Sequence, residues 1–443
     1  MKKGGTYIWR RAILAAALLI ITLFSALPLS ASDTPSPPIV DGGHAICLYD
    51  KTHGRYIVEQ NGADMLNTST SAKIMTGLLA CEILGNRLDE VVTVTEKTLS
   101  EVSGYSMKLV GGEKITVKDL LYAAICGSYN DAAYVLAHHI AGDTQSFAEL
   151  MNKRAEELGA KATVYTNPLG YPDSAAMITT AYDTLKIALA ASENPLYMEI
   201  CSAIKYTVGA TNKSEAFQLY NRNFLVSSNS NASYYNSKCA GMNAGYSGER
   251  GGWSIVTMIH DDGADYICVL LGGKESVDGN EIYAYDSVNE LADWVCDTYN
   301  NYTLFEAGYE LGSTEIGRTS LSEKAPYVAE SDVVVYVPTE SVSRISYKFD
   351  ITPNLNAPLS AGDNIGRVVI TFDGETVGES ALLLKESYDV NYIMLVIEKI
   401  GEYTMSRAFI ATAVCFTVLL SFTLMKKSTR RYKVHSGKYR RMR

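Results

Sequence analysis

The stretch Thr68-Ser69-Thr70-Ser71-Ala72-Lys73-Ile74-Met75-Thr76 decides how the rest of the chain is read. It stands where a polar segment turns into a helix. Ile74 and Leu78 fall at helical spacing, as do Met75, Leu79 and Ile83, and Gly85-Asn86 offers a stop. Thr70 and Lys73 are three apart, so on a helix they share a face and the amine is expected to reach the hydroxyl. The helix N-terminus favours negative charge developing there. That is a geometry for nucleophilic chemistry. The same letters also suit an ordinary Thr/Ser-rich N-cap followed by a surface lysine. The stretch alone leaves both readings open.

The 443 residues suit two soluble domains with a sizeable core. Charge is unevenly spread. Residues 1–11 and 426–443 hold 13 of the 39 basic residues and no acid, which leaves 26 basic against all 49 acidic residues between them. A middle near −23 excludes a nucleic-acid surface on the folded part. The start has a basic segment, an apolar run from Ala12 to Leu23 and small residues ending at Ala31, which predicts a secretory signal over 1–31. A retained anchor is the alternative. Ala408 to Met425 is an uncharged, mostly apolar run of 18 residues, followed by Lys426, Lys427 and seven further cations. That predicts a transmembrane helix over 408–425 with a basic cytoplasmic tail, 426–443, so the body lies outside the membrane. Seven cysteines fall in the body, mostly among Ile, Leu, Ala or Val, as buried thiols do. There is no Cys-x-x-Cys, hence no case for a metal or redox site.

Within the body, Ala45–Asp50 and Tyr56–Glu59 are predicted to form a hairpin. Thr116-Val117-Lys118-Asp119 caps a helix through Ile125. Gly127-Ser128-Tyr129-Asn130 interrupts it, and a further helix runs from Asp131 to the stop at Gly142. Helices are expected over Ser146–Leu158, Thr180–Ala191 and about Glu281–Tyr299, and strands over Trp253–His260 and Tyr266–Gly272. This order predicts one sheet with helices on its faces and a separate helical lobe, over 32–300. After that, short alternating runs (Asp332–Val337, Ser341–Asp350, Val368–Phe372, Val377–Leu384) predict a small β-rich domain over 301–390. Residues 391–407 are a mixed, membrane-proximal linker.

Three polar sites could meet in space: Thr70 with Lys73, Ser128-Tyr129-Asn130, and Asn243-Ala244-Gly245 before Tyr246. Ser-x-Asn alone is weak; its position at a helix interruption raises it. With Ala-Lys-Ile-Met-Thr after Thr70, Asp-Leu-Leu-Tyr-Ala-Ala before Ser128, Asn-Pro-Leu-Gly at 167–170, Asn-Arg-Asn-Phe-Leu at 221–225 and Ser360-to-Gly366 in the β-rich part, residues 39–384 resemble the penicillin-binding D-alanyl-D-alanine carboxypeptidases of low molecular mass. The resemblance implies a penicillin-binding/β-lactamase-like α/β sheet with flanking helices and a helical lobe, then a small β-sandwich-like domain. It implies peptidoglycan stem peptides or β-lactams as partners, and the signal segment and C-terminal anchor fit it; no cofactor is expected.

By position, the resemblance places Thr70 where the nucleophilic serine belongs and Lys73 at its base. Ser128 would relay a proton, and Asn130 would hold the substrate peptide. Asn243-Ala244-Gly245 stands where the family has Lys-Thr-Gly, and the N–H of Tyr246, with that of Thr70, would form the oxyanion hole. Two of the three motifs are therefore altered. A threonine methyl restricts χ1 and crowds attack. Loss of lysine at 243 removes a cation for the substrate carboxylate, and with it a like-charge repulsion that would help keep Lys73 deprotonated. Loss of threonine at 244 removes a hydroxyl for the same carboxylate. Lys238, an odd number of residues away on a strand, should face the other way. His138 and His139 read as surface or core residues rather than ligands. Two functions follow from these letters: an impaired D,D-carboxypeptidase, or a pseudoenzyme kept as a binding or regulatory module at the cell envelope.

Overall fold

Strands β1 (Ala45–Asp50) and β2 (Arg55–Gln60) pair as a hairpin. Three strands from much later in the chain, β3 (Cys239–Tyr246), β4 (Trp253–Asp261) and β5 (Ala264–Gly273), complete an antiparallel sheet in the order β2-β1-β5-β4-β3. The two ends of the first unit thus enclose the helices between them. The computed structural model describes residues 36–170, 177–229, 231–248, 251–276, 279–319 and 324–439. The signal-like start, 1–31, lies outside the described residues.

Side chains alternate across a strand, and the central strand β5 uses both sides. Ile267, Val269 and Leu271 join one apolar core, while Tyr266, Cys268 and Leu270 join another. A sheet buried on both faces needs helices on both. The first core is filled by α1 (Ala72–Leu84), α2 (Val117–Ile125), α3 (Asn130–Ala141), α4 (Thr144–Glu157), α5 (Ala181–Ser192) and α6 (Pro195–Ser202). The second is covered by α7 (Tyr283–Thr298), through Val288, Leu291 and Val295. The helix starts follow local chemistry: Thr116, Asp143, Thr180 and Asn194 each accept an otherwise unpaired backbone N–H from the first turn.

Among the elements that the sequence reading did not list are helix α6 and a short hairpin, Lys205–Val208 with Phe217–Tyr220, which carries little alternation. Strand β3 runs straight through Asn243-Ala244-Gly245, residues of poor strand propensity. It is held by pairing to β4, with Gly245 opposite Ser254.

The first unit comprises the chain through Asn301 with Tyr336–Ser343; the second is Tyr302–Val335 with the chain from Arg344 on. The second unit has a five-stranded antiparallel sheet: β6 (Glu310–Glu315), β7 (Lys324–Ala329), β8 (Ile345–Ile351), β9 (Asn364–Phe372) and β10 (Glu375–Leu384), in the order β6-β7-β10-β9-β8. The strand expected from Ser341 begins only at Ile345, because Thr339–Arg344 forms a 3-10 turn. Residues 391–407 are mostly helical: α8 (Tyr392–Met405) is tied to the β-rich part by two Arg318–Glu398 hydrogen bonds of 2.8 and 3.0 Å. Helix α9 (Arg407–Tyr439) contains a segment, Arg407–Ser428, long and apolar enough to cross a membrane. All eight cysteines are free; six are buried, Cys296 is partly buried and Cys415 is exposed.

Candidate active site

Helix α1 is apolar nearly all round and lies at the centre of the first core. Tyr197 and Ile125 approach it so closely that a Cβ on Gly77 would fall 2.8–2.9 Å from them. Lys73 occupies its first turn, and that depth is what buries the lysine, at 7% exposure. Burial pushes the amine down from 10.5 to about 7; the nearby Arg222 cation pushes the same way, and Asp131 opposes them. Near neutral pH a large fraction of Lys73 is therefore an uncharged amine. Loss of the repulsion from a lysine at 243 therefore does not leave the amine at its ordinary value. Burial does most of the work, and a different cation, Arg222, adds to it.

Lys73 Nζ donates to the Ser128 carbonyl at 2.7 Å and lies 2.9 Å from Ser128 Oγ. Ser128 reaches it from the break between α2 and α3, where its backbone takes the left-handed φ of +55°. Such a φ is uncommon outside glycine. It is held by the flanking amides: Tyr129 N donates to Ala123 O, and Asn130 N to Tyr105 O. Asn130 opens α3, and its Nδ2 donates to Ser103 O at 2.6 Å, so part of its amide is occupied by the 103–105 loop. Arg222 lies 4.8 Å over the Tyr105 ring, a cation–π contact at the mouth of the cleft.

Thr70 sits on a single 3-10 turn, Ser69–Ser71, just before α1. Among the described residues, its hydroxyl makes no hydrogen bond to Lys73. Thr70 Oγ1 lies 2.8 Å from Ser254 Oγ on β4 and donates to Asn243 Oδ1 on β3 at 3.3 Å. Sharing a helical face was therefore not enough: the tight turn aims the side chain at the sheet, where two polar groups receive it. Gly245 makes the approach possible, since a Cβ there would lie 2.8 Å from Thr70 Oγ1 and 2.9 Å from its methyl.

Thr70, Lys73, Ser128 and Asn130 line one cleft of about 410 Å³, together with Ala244, Gly245, Tyr246 and Arg222, whereas Asn243 and Ser254 are not part of its lining and reach it only through Thr70. Ala244 contributes backbone and a methyl. Tyr246 is 44% exposed, and its ring lies 5.7 Å from Trp253. Asn243 is buried and faces Thr70. Lys238 is turned away, 3.4 Å from Asp293 and 3.6 Å from Asp297. His138 pairs with Glu101 and His139 with Glu90, outside the cleft. Sequence reasoning missed Ser254 and the electrostatic part of Arg222. Ser254 is a lone serine in an apolar strand, with no local signal. Arg222 was quoted within a landmark run, but nothing in that run announces proximity to Lys73.

The chain was compared with known proteins. Residues 31–275 match the family described as D-alanyl-D-alanine carboxypeptidase, and residues 299–390 match the penicillin-binding protein 5 C-terminal domain. The D-alanyl-D-alanine carboxypeptidase DacF of Bacillus subtilis is 25% identical over 81% of this chain and 89% of its own. DacD of Escherichia coli is 24% identical over 85% and 95%. Among solved structures, penicillin binding protein 5 from Haemophilus influenzae superposes with a TM-score of 0.57 at 24% identity, over 80% of this chain and 99% of that one. Penicillin binding protein 6B from Escherichia coli gives 0.58 at 21%, over 79% and 98%.

Proposed function

The chain belongs to the D-alanyl-D-alanine carboxypeptidase family, and from that premise we propose that it is a membrane-anchored member acting slowly on D-Ala-terminated peptidoglycan stem peptides and on β-lactams. The observation that carries this reading is the Lys73–Ser128 pair: a buried amine near pKa 7, 2.9 Å from a hydroxyl, in the cleft that Thr70 also lines. Thr70 Oγ1 attacks the carbonyl carbon of the terminal peptide bond while neutral Lys73 takes its proton. Ser128 passes a proton to the departing D-Ala nitrogen as the C–N bond breaks. Water then cleaves the Thr70 ester and releases the shortened peptide, with its carboxylate, and free enzyme. Asn130 and the strand Asn243–Tyr246 hold the substrate backbone, with the N–H groups of Thr70 and Tyr246 receiving the developing oxyanion. The rate is low because Thr70 must leave Asn243 and Ser254, and because position 243 no longer offers a cation to the substrate carboxylate.

The test uses the full chain in detergent and a labelled penicillin. A covalent adduct that disappears in Thr70→Ala supports an acyl-enzyme. Reversible binding without adduct favours a binding module, the reading suggested by the strand-side hydrogen bonds of Thr70. The anchor is α9, with the body outside the cell and the basic tail inside. Protease added to cells with permeabilised walls should remove the body and spare the tail; protection of the body would overturn this topology.

A further inference from the structure

Thr70 has one hydroxyl proton, and its placement decides whether the group can react. Lys73 points its N–H groups at the carbonyl and hydroxyl of Ser128, so the amine lone pair is what the Thr70 proton must reach. Instead the hydroxyl lies between Asn243 Oδ1, a pure acceptor, and Ser254 Oγ. Ser254 is fully buried, and among the described residues its hydroxyl has Thr70 as its partner. Turning Thr70 to Lys73 would leave that buried hydroxyl unpaired, which is costly. The methyl of Thr70, seated against Gly245, ties the two motions together: Oγ1 and Cγ2 swing about the same bond, and branching at Cβ makes that rotation stiff.

We propose that Ser254 is a positioning residue that, with Asn243, holds the Thr70 hydroxyl in a resting orientation away from Lys73. This rests on Thr70 being the acyl acceptor and explains why the chain reacts slowly even with a neutral base in place. Removing Ser254's hydroxyl should therefore raise reactivity, the opposite of what loss of a supporting hydrogen bond does.

Penicillin acylation of the full chain in detergent is followed at several concentrations, which separates the reversible binding constant from the rate of the covalent step. Ser254→Ala is expected to speed the covalent step about tenfold, the equivalent of one ordinary hydrogen bond, with binding unchanged. Ser254→Cys, a weaker hydrogen-bonding group, should fall between Ala and the natural serine. In a Thr70→Ser background the gain from Ser254→Ala should shrink, because no methyl couples the rotation. A covalent step in Ser254→Ala equal to or slower than that of the natural chain overturns the proposal. If neither protein forms an adduct, the acyl-enzyme reading fails, and a crystal structure of Ser254→Ala then decides the positioning role separately. Thr70 Oγ1 within hydrogen-bond reach of Lys73 Nζ supports it; Thr70 still on Asn243 overturns it.

Discussion

On the helical wall of the cleft, Lys73 and Ser128 meet at 2.9 Å, and the amine is depressed to about 7. On the strand wall, Asn243 and Ala244 bring neither cation nor hydroxyl toward a substrate carboxylate, and Asn243 and Ser254 bind the Thr70 hydroxyl instead. The walls differ in what sustains them. The helical wall is tuned mainly by burial, a property of the whole core, so it survives the change of a single neighbour. The strand wall depends on particular side chains, and a change of two letters empties it. Under the proposed acyl-enzyme reading, preparing a base and aiming a nucleophile are thus separable tasks in this fold.

The sharpest break of the comparison is removal of the base. Lys73→Ala should lower penicillin acylation by about two to four powers of ten, measured most easily in a Thr70→Ser background. A smaller loss would mean that the helical wall is not the working one. Repair of the strand wall comes next. Thr70→Ser with Asn243→Lys and Ala244→Thr should accelerate acylation and D-Ala release more than the sum of the separate changes, because such groups act as a unit. The carboxylate contacts alone are worth roughly 1.5–3 kcal/mol, or about one to two powers of ten. A triple variant that folds and stays inert would place the damage elsewhere in the cleft.

Gly245→Ala tests how tightly Thr70 is seated. The new Cβ would fall 2.8 Å from Oγ1, so the variant should lose about 1–3 kcal/mol in thermal or denaturant unfolding. Unchanged stability would mean that the turn at Ser69–Ser71 yields easily. The smallest effect concerns Arg222. Acylation should rise with pH as Lys73 loses its proton through about 7 and then level off. Because Arg222 depresses the lysine, Arg222→Gln should move that limb to higher pH. A limb that stays put, or moves down, would remove Arg222 from the account and leave burial alone.

Much of this was legible in the letters. Short apolar runs bounded by turn residues found β1 and β5, and helical spacing with Thr and Gly punctuation found α1 to α5. The motif order brought Thr70, Lys73, Ser128 and Asn243 to one place because each lay at a recognisable break or boundary. Side-chain direction was less legible. Spacing of three residues predicted a Thr70–Lys73 contact, but it assumes that helix geometry already holds at Thr70, and a 3-10 turn occupies Ser69–Ser71. The main cause of the depressed lysine, burial, was not legible because desolvation depends on the packing of six helices, which no local window contains. Ser254 was invisible for a related reason: its meaning comes from β4 lying beside Thr70, 184 residues away in sequence.

The buried sulfurs have a consequence for how the molecule survives oxidation. Burial pushes Cys47, Cys81 and Cys126 up to about 12, so the reactive thiolate is scarce in the folded body. These three thiols are open to oxidative cross-linking only when the core around them opens. The folded body otherwise shields them. Its half-life under an oxidising challenge is therefore set by how often the core opens, and thiol labelling over time would read out that opening directly.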